Sequence, residues 1–448
     1  MAVSSPTGNI FADAAALAAN AYNDTPASAA LGWQPLGAAE LGLAPAGSFN
    51  AGTYTFSNGI YVGTDATNSA VAHLYVGELD GETTLALAFR GTDEIPGDLP
   101  DHVHFVDHYA QFEPLIAAVQ SYADDVGVDR VLVTGHSLGS SMVATAMVEE
   151  GWVNDPKYLG VAIASHGTDA SVAETAPAEV TNLVNFIHTQ DFLALAREDG
   201  LPALTLAALV GAPSFGDAAD FEPKERVGVD VWIDTGNAVR LLGGAAQGSF
   251  EDPITAEHRI GRYEADIDAL ARQQALEPEA LLASAEPHYF AVGTDGADNF
   301  AQDQFSFDEQ VNEELFPTKD FDQRIYTGAG DDRIGGSGGD DLIDGGAGVD
   351  TAHYRGAFAA YTITTGNGTT RVEHAAPGSG PSDGTDALRD VEILHFADGA
   401  RTIDGQPIAE AGAPDRIAIT LGNLIEEPSL TLLAVRDELA NRFDEIFG

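Results

Sequence analysis

The chain has 448 residues, 44% of them hydrophobic, so it is too long for one ordinary domain and apolar enough to bury a sizeable core. The chain has 70 acidic and 20 basic residues. Its net charge of −50 argues against nucleic acid and anionic membrane surfaces as partners. The sequence contains no apolar run of about eighteen residues, so no membrane span is predicted, and no cleavable N-terminal secretion signal is visible. The absence of cysteine excludes disulfides and thiolate metal sites.

The N-terminal part of the chain predicts a helix followed by an antiparallel meander. Residues 9–23 are rich in alanine and have the pattern of a helix that covers one edge of the following structure. Residues 52–92 alternate β-branched and aromatic side chains, with turn signals at Asn58-Gly59 and Asp80-Gly81. The meander is expected to end in a strand over 84–89.

The stretch between Asp93 and Glu113 carries proline, glycine and several histidines. The pair His102 and His104 invites a metal-site interpretation, but its spacing differs by one residue from the usual dinuclear zinc pattern. A partly apolar flap near the active site is the favoured interpretation. After it, Pro114 begins an amphipathic helix that ends at Gly127.

The central motif of the chain is a G-x-S-x-G pattern around Ser137. The β-branched run over 131–134 precedes it, and small and apolar residues at helical spacing follow it as far as Gly151. This order predicts strand, sharp turn and helix, with Gly135 and Gly139 allowing the strand and the helix to approach. Such a turn presents a serine hydroxyl as a nucleophile.

A serine nucleophile needs a base and an acid, and hydrolase sheets supply them in the order serine, acid, histidine. Asp191 follows a predicted strand over 180–188, and His258 lies further along, beside a helix start. Asp199 remains an alternative acid and His288 an alternative base; His188 is a poor alternative because it precedes the acid. Together with a buried strand over 158–165, the alternation of strands and helices predicts a largely parallel sheet with its chemistry at the carboxyl ends of the strands.

The oxyanion that forms during such chemistry needs two preorganised donors. The backbone amide of Leu138, directly after the nucleophile, is the expected first donor. The loop that leaves the strand over 84–89 is the expected source of the second, and Thr92 in that loop can add its hydroxyl. His136, inside the motif, is expected to pack rather than to titrate during catalysis.

The C-terminal third contains three consecutive nine-residue units, 327–335, 336–344 and 345–353, each with aspartate at the sixth place and an apolar residue at the eighth. This is the repeat of calcium-binding parallel β-rolls, so part of the acidic excess is expected to bind Ca²⁺, while the rest fits a solvated acidic surface. The unit over 293–301 has the same phase and is expected to stack as an outlying turn. The predicted metal ligands are Asp298, Gly328, Gly330, Asp332, Asp341, Gly346, Gly348 and Asp350.

Because successive units alternate between the two sides of a roll, facing turns come from units two apart. Asp332 and Asp350 are therefore expected to share a calcium ion, with Asp341 on the opposite edge. Strands are predicted over 361–373 and 388–396, and an amphipathic helix over 430–447.

These motifs, in this order, resemble the class 3 lipases, and with the repeats they are most similar to the calcium-dependent bacterial lipases of family I.3. The resemblance implies an α/β-hydrolase fold, with Ser137 as nucleophile, Asp191 as acid and His258 as base, and with Thr92 and Leu138 in the oxyanion hole. It also implies that the terminal helix belongs to a C-terminal signal for type I secretion, although a plain terminal helix is an equal alternative. The chain differs from the family in having Ser140 in place of a third glycine and in having short lid segments, which leaves room for an esterase.

The expected architecture is therefore an α/β-hydrolase catalytic domain over 1–292 and an all-β domain with a calcium-binding parallel β-roll over 293–448. The expected function is that of a secreted serine carboxylic-ester hydrolase, a lipase or an esterase, that acts on an ester or lipid substrate through an acyl-enzyme. A phospholipase, a polyester hydrolase or an amide hydrolase on the same site is the nearest alternative. A calcium-dependent adhesin on an inactive hydrolase fold is the alternative from another class.

Overall fold

A mixed β-sheet extends through the computed structural model of the chain. The structure describes residues 8–26, 32–50, 52–65, 69–79, 81–91, 105–189, 191, 224–235, 258–300, 321–336, 338–376 and 382–408. Within these ranges, sixteen strands join into the large sheet, and two smaller sheets have two and four strands.

The helices and strands are numbered here in chain order. The helices are α1 Ile10–Asn20, α2 Ala38–Leu41, α3 Phe105–Tyr109, α4 Glu113–Tyr122, α5 Leu138–Glu149, α6 Ala170–Ala173, α7 Ile260–Arg272 and α8 Pro278–Leu281. The strands of the first half are β1 Gln34–Pro35, β2 Ala46–Phe49, β3 Gly52–Ser57, β4 Ile60–Thr64, β5 Ser69–Leu79, β6 Glu82–Phe89, β7 Arg130–His136, β8 Tyr158–Ile163, β9 Thr168–Asp169, β10 Leu183–His188, β11 Lys224–Glu225 and β12 Val229–Asp234. Those of the second half are β13 His288–Val292, β14 Gln323–Tyr326, β15 Arg333–Ile334, β16 Leu342–Asp344, β17 Thr351–His353, β18 Thr362–Gly366, β19 Thr369–Glu373, β20 Thr385–Arg389, β21 Ile393–Phe396 and β22 Gly399–Thr402.

The large sheet has the strand order β18-β19-β20-β16-β14-β13-β12-β10-β8-β7-β6-β5-β4-β3-β2, with β1 paired to β5. All neighbours from β6 to β20 in this order pair in parallel, whereas the strands beyond each end of this part pair antiparallel. The carboxyl ends of β6, β7, β8 and β10 therefore lie along one edge of the sheet, where ligands bind in open α/β sheets.

Alternating side chains of the central strands face two separate apolar cores. On β7, Val131 and Val133 belong to one core and Leu132 belongs to the other. The first core also contains apolar residues of α4 and α5, and the second contains those of α1 and α7. Because both faces of the sheet are covered by helices, the fold is an α/β-hydrolase-like sandwich of three layers.

The C-terminal part is rich in β-structure and packs two sheets against each other. The four-stranded sheet has the order β15-β17-β21-β22 and is parallel from β15 to β21. Apolar residues of β15, β17 and β21 share one core with apolar residues of the large sheet's strands β14, β16 and β20. Each unit therefore contributes its apolar eighth residue to the core between the sheets.

Most predicted elements of the catalytic half lie where the sequence indicated them. Asn9 caps α1 by accepting from the amide of Phe11 at 3.0 Å, and the meander of β3 to β6 turns at Asn58-Gly59. The strand β12 was not anticipated, because residues 200–250 carry no clear periodicity. His102, His104 and the predicted helix over 430–447 lie outside the described residues, as does Asp80.

The boundary predicted between residues 292 and 293 divides strands that pair with each other. Strand β13 pairs in parallel with β12 on one side and with β14 on the other, so the two parts share one sheet. The division into two domains remains a prediction. Among the helices of the described ranges, none combines the length and apolar character that crossing a bilayer requires.

We expect Gly139→Ala to lower the free energy of unfolding by about 1–3 kcal/mol. A methyl group at Gly139 would overlap the backbone carbonyl of Phe89, so β6 and α5 would have to separate. Gly261→Ala, on α7, is the matched control: its added methyl group meets no atom, and alanine favours the helix. Urea unfolding of the two variants measures the difference, and equal stability would contradict this close approach.

Candidate active site

Ser137 lies on the turn between β7 and α5 in a backbone conformation that is rare for residues other than glycine. Its φ is 57° and its ψ is −125°, and only 6% of the residue is exposed. The Ser137 amide donates to the Ile163 carbonyl at 3.0 Å, and the hydroxyl of Ser140 donates to the Ser137 carbonyl at 2.6 Å. The turn is thus supported from both sides, because a strained residue persists only where its surroundings hold it in place.

The structure brings together the serine, histidine and aspartate that the sequence order predicted. Ser137 Oγ lies 2.8 Å from His258 Nε2, and His258 Nδ1 lies 2.9 Å and 3.0 Å from the two carboxylate oxygens of Asp191. Asp191 is fully buried. When Nδ1 carries the proton and donates a hydrogen bond to Asp191, Nε2 accepts the hydrogen bond of the serine hydroxyl. This is the tautomer of histidine that a general base requires.

The alternative residues do not share this arrangement. His288 begins β13 and therefore lies at the amino end of a parallel strand, on the edge of the sheet opposite to Ser137. His188 is stacked flat on the ring of Tyr263, with ring centroids 3.7 Å apart, and its Nε2 lies 3.3 Å from Asp266. Asp199 lies outside the described residues.

Tyr263 is a site residue that the sequence reasoning missed. Its hydroxyl donates to Asp191 Oδ2 at 2.7 Å and accepts from the backbone amide of His188 at 2.8 Å. Because Tyr263 belongs to the first turn of α7, the segment that supplies His258 also supplies a second hydrogen bond to Asp191. Its only sequence signal is a tyrosine five residues after the histidine.

His136 connects the N-terminal helix to the backbone of His258. Its Nε2 lies 2.6 Å from the His258 carbonyl oxygen, and its Nδ1 lies 2.7 Å from the Tyr22 hydroxyl. The carbonyl only accepts, so Nε2 carries the proton and Tyr22 donates to Nδ1. Burial, together with the neighbouring His258, lowers the pKa of His136 to about 3, so its ring is neutral and fills space as expected.

The predicted oxyanion donors are only partly visible. Leu138 is buried and begins α5 directly after Ser137. Thr92 lies outside the described residues. Gly91, which precedes it, lies against the backbone carbonyl of His136, since a methyl group there would overlap that oxygen. Gly91, just after β6, therefore lies beside the turn that carries Ser137.

The repeat turns stack along two edges of the C-terminal part. The amide of Asp298 donates to Asp332 Oδ1 at 2.7 Å, and that of Asp332 donates to Asp350 Oδ1 at 2.8 Å, so these three turns form one edge. Asp341 lies on the other edge, where β16 belongs to the large sheet. All four glycines among the predicted ligands, Gly328, Gly330, Gly346 and Gly348, have positive φ.

The stacked carboxylates have unsatisfied oxygens. Asp332, Asp341 and Asp350 are at most 2% exposed, and their Oδ2 atoms have no hydrogen-bond partner. Burial, and next the nearby Asp386, raise the pKa of Asp341 to about 9. Burial without a partner thus disfavours the ionised carboxylate, and a hard cation beside it would restore that form.

Asp298 differs from these three, because its Oδ2 accepts from the amide and hydroxyl of Thr294 at 2.5 Å and 3.0 Å. Within the described ranges, no group of three or more histidine or acidic side chains is placed to hold a metal ion. A cation at the stacked turns would therefore take most of its ligands from backbone carbonyls, which calcium accepts.

The layered parallel sheet and the strained serine at the carboxyl end of β7 define the α/β-hydrolase fold. Among solved structures, the chain is similar to the extracellular lipase LipA from Serratia marcescens, with a TM-score of 0.50 and 17% identity, over 89% of this chain and 76% of that one. A lipase from Rhizopus microsporus var. chinensis matches with a TM-score of 0.24 and 17% identity, over 30% of this chain and 53% of that one.

No protein-family model matches the sequence, and no curated protein matches it. The likeness to the Serratia lipase confirms the predicted resemblance to bacterial class 3 lipases at the level of fold. It also confirms an α/β-hydrolase fold joined to a part rich in β-structure.

We expect His136 to make the folded protein less stable in acid. Its pKa of about 3 in the fold lies below the ordinary value of 6.5, so the unfolded chain takes up this proton first as the pH falls. The stability contribution is complete above pH 6.5 and is lost progressively toward pH 3.

His136→Gln, which cannot take up this proton, should lose less stability than the parent protein between pH 7.5 and about pH 5. Urea unfolding at the two pH values, at constant calcium, measures both losses. Parallel losses in parent and variant would contradict this assignment.

Proposed function

We propose that the chain is a serine carboxylic-ester hydrolase of the lipase or esterase type. The observation that carries the proposal is the 2.8 Å contact from Ser137 Oγ to His258 Nε2, with His258 Nδ1 held by the buried Asp191. Nucleophile, base and orienting acid are thus within hydrogen-bond reach in the required order. This geometry favours an active enzyme over an adhesin built on an inactive hydrolase fold.

The reaction proceeds through an acyl-enzyme. Ser137 Oγ attacks the ester carbonyl carbon while its proton passes to His258 Nε2. The tetrahedral intermediate collapses, and the departing alcohol takes that proton from His258. Water then attacks the acyl-serine, again giving a proton to His258, and the carboxylic acid leaves as Ser137 recovers its hydrogen. Asp191 stabilises the imidazolium that forms in both halves of the reaction.

Negative charge on the carbonyl oxygen is stabilised by backbone donors at the turn. We assign the first donor to the amide of Leu138 and the second to the loop that contains Thr92. Support comes from Gly91, the residue before Thr92, which lies against the His136 carbonyl beside the turn that carries Ser137.

The substrate class follows from the fold and the site together. A lipase from Serratia marcescens shares the fold, which supports a lipid or another ester as substrate. Lid segments as short as the sequence predicts would favour esters that need no lipid interface, so soluble esters and polyesters remain within the class. Phospholipids and amides are alternatives for the same three residues.

The stacked turns are proposed to form a calcium-binding β-roll that supports a secreted enzyme. The buried Oδ2 atoms of Asp332, Asp341 and Asp350 fit a hard cation, and the glycines around them bring backbone carbonyls close. Bound calcium would neutralise these carboxylates and join successive turns. Folding after export by a type I secretion apparatus, where calcium is abundant, fits the absence of cysteine.

Replacing Ser137 by alanine should lower the hydrolysis of p-nitrophenyl esters by at least about 10³-fold, because no other group supplies the nucleophile. Labelling by a fluorophosphonate should be lost as well. Ser141→Ala is the matched control, since Ser141 is a buried serine of the same helix whose hydroxyl has no hydrogen-bond partner. Retained activity in Ser137→Ala with correct folding would refute the proposal.

Tyr263→Phe removes one hydrogen bond to the Asp191 carboxylate and should lower kcat/KM by about tenfold with little change in KM. Asp191 is then less firmly oriented, which lowers the rate, and its carboxylate, with one donor fewer, favours the protonated over the neutral form of His258. The acid limb of the kcat/KM profile should therefore move to higher pH.

Tyr289→Phe, on β13, is the control for the loss of a phenol hydroxyl elsewhere. If the kcat/KM profile of Tyr263→Phe coincides with that of the parent protein, the Tyr263 hydroxyl has no positioning role and the ring only fills space.

A further inference from the structure

The second edge of the repeat region holds a carboxylate pair that the three repeats do not contain. The amide of Asp341 donates to Asp386 Oδ1 at 3.1 Å. On the first edge, the amide of Asp332 donates to Asp350 Oδ1 at 2.8 Å, so the two edges share one arrangement. Asp386 lies 45 residues after Asp341 and outside every unit that the sequence pattern identified.

Asp386 belongs to a degenerate unit of nine residues. The sequence over 381–389 has glycine at the fourth place, aspartate at the sixth and leucine at the eighth, but it lacks the first two glycines. Strand β20 pairs in parallel with β16 and places Leu388 opposite Ile343, the eighth residue of its own unit. By this pairing, residues 381–389 occupy the place of a further repeat, which follows the three regular repeats after an insertion.

The turn before Asp386 stacks as the turns of the regular repeats do. Gly384, at the fourth place, has a φ of +73°, and a methyl group there would overlap the carbonyl oxygen of Gly339, the fourth residue of the facing unit. Gly348 and Gly330 stand in the same relation on the first edge. Backbone carbonyls of the two facing turns are thus equally close on both edges.

The pair has the unsatisfied oxygen that a ligand would need. Asp341 and Asp386 are each 2% exposed, and Asp341 Oδ2 has no hydrogen-bond partner. This oxygen faces Gly336, at the start of its own turn, where a methyl group would overlap it. An unpaired carboxylate oxygen buried in a glycine turn costs free energy unless a cation neutralises it.

On the side of Asp341 that faces away from Asp386, the neighbouring turn supplies an amide donor in place of a carboxylate. Gln323 stands at the place that aspartate has in the repeats, and its backbone amide donates to Asp341 Oδ1 at 2.8 Å. Its side-chain amide donates to the carbonyl of Gly336 at 2.8 Å. Because Gln323 is neutral and both of its amide groups donate hydrogen bonds here, this turn offers no carboxylate to a cation. A cation on this edge is therefore expected between Asp341 and Asp386.

We infer that Asp341 and Asp386 together bind one Ca²⁺, with backbone carbonyls of the two turns completing the ligand set. The inference rests on the proposed calcium-binding tail and adds to it a site that the repeat pattern does not contain. Oxygen donors alone, most of them carbonyls, favour calcium over zinc or magnesium. The ion links the turn of Asp341 to the turn of Asp386 across the insertion between them, and so holds β18, β19 and β20 to the repeats.

The test is calcium stoichiometry in the full-length protein, measured by equilibrium dialysis and elemental analysis at a free calcium concentration that saturates the parent. Asp341→Asn and Asp386→Asn should each lose one Ca²⁺ per chain. The double variant should lose no more than either single variant, because one ion is shared. Asp404→Asn is the control, since Asp404 is exposed and belongs to neither stack of turns.

Fluorophosphonate labelling of Ser137 checks that the catalytic half of each variant is folded. Should Asp386→Asn fail to fold, Asp386→Glu keeps the charge at the wrong distance and is expected to keep the ion with at least tenfold weaker affinity.

Three results would overturn the inference: full stoichiometry in Asp386→Asn, a loss of two ions in the double variant, or unchanged affinity in Asp386→Glu. A parent chain that binds no calcium would instead refute the calcium-binding tail as a whole. None of these four results bears on ester hydrolysis, which Ser137→Ala tests separately.

Discussion

The close approach of strand β7 and helix α5 is the constraint on which the site depends. Ser137 has a positive φ because the chain reverses between these two elements within one residue, and the glycines on either side leave no side chain between them. The parallel pairing of β7 with β6 and β8 then aligns this turn with the ends of neighbouring strands. His258 meets Ser137 at this edge of the sheet.

The supports of the site come from distant parts of the chain. Tyr22, at the end of the N-terminal helix region, contacts His136, and His136 contacts the backbone of His258. Tyr263 holds Asp191 from the helix that follows His258. His258 is therefore positioned through its backbone as well as through its ring, and the neutral state of His136 adds no charge beside it.

The same sheet continues from the site into the repeats, because β13 pairs with both β12 and β14. In the C-terminal part the chain buries carboxylates that the acidic composition alone did not distinguish from surface charge. The stacked aspartates are few among 70 acidic residues, so a solvated acidic surface remains the predicted source of most of the net charge of −50. Two kinds of acidic residue thus coexist, and burial separates them.

The local pattern of the sequence by itself determined the turn at Ser137, the meander, the phase of the repeats and the order serine, acid, histidine, because glycine spacing and side-chain alternation are local properties. Only the tertiary structure brought Asp191 into contact with His258, and it alone revealed Tyr263 and Asp386. Those residues act through neighbours 45 or more positions away, or through a unit that has lost most of its glycines. Their spacing carries no period, so the folded backbone was needed to bring them together.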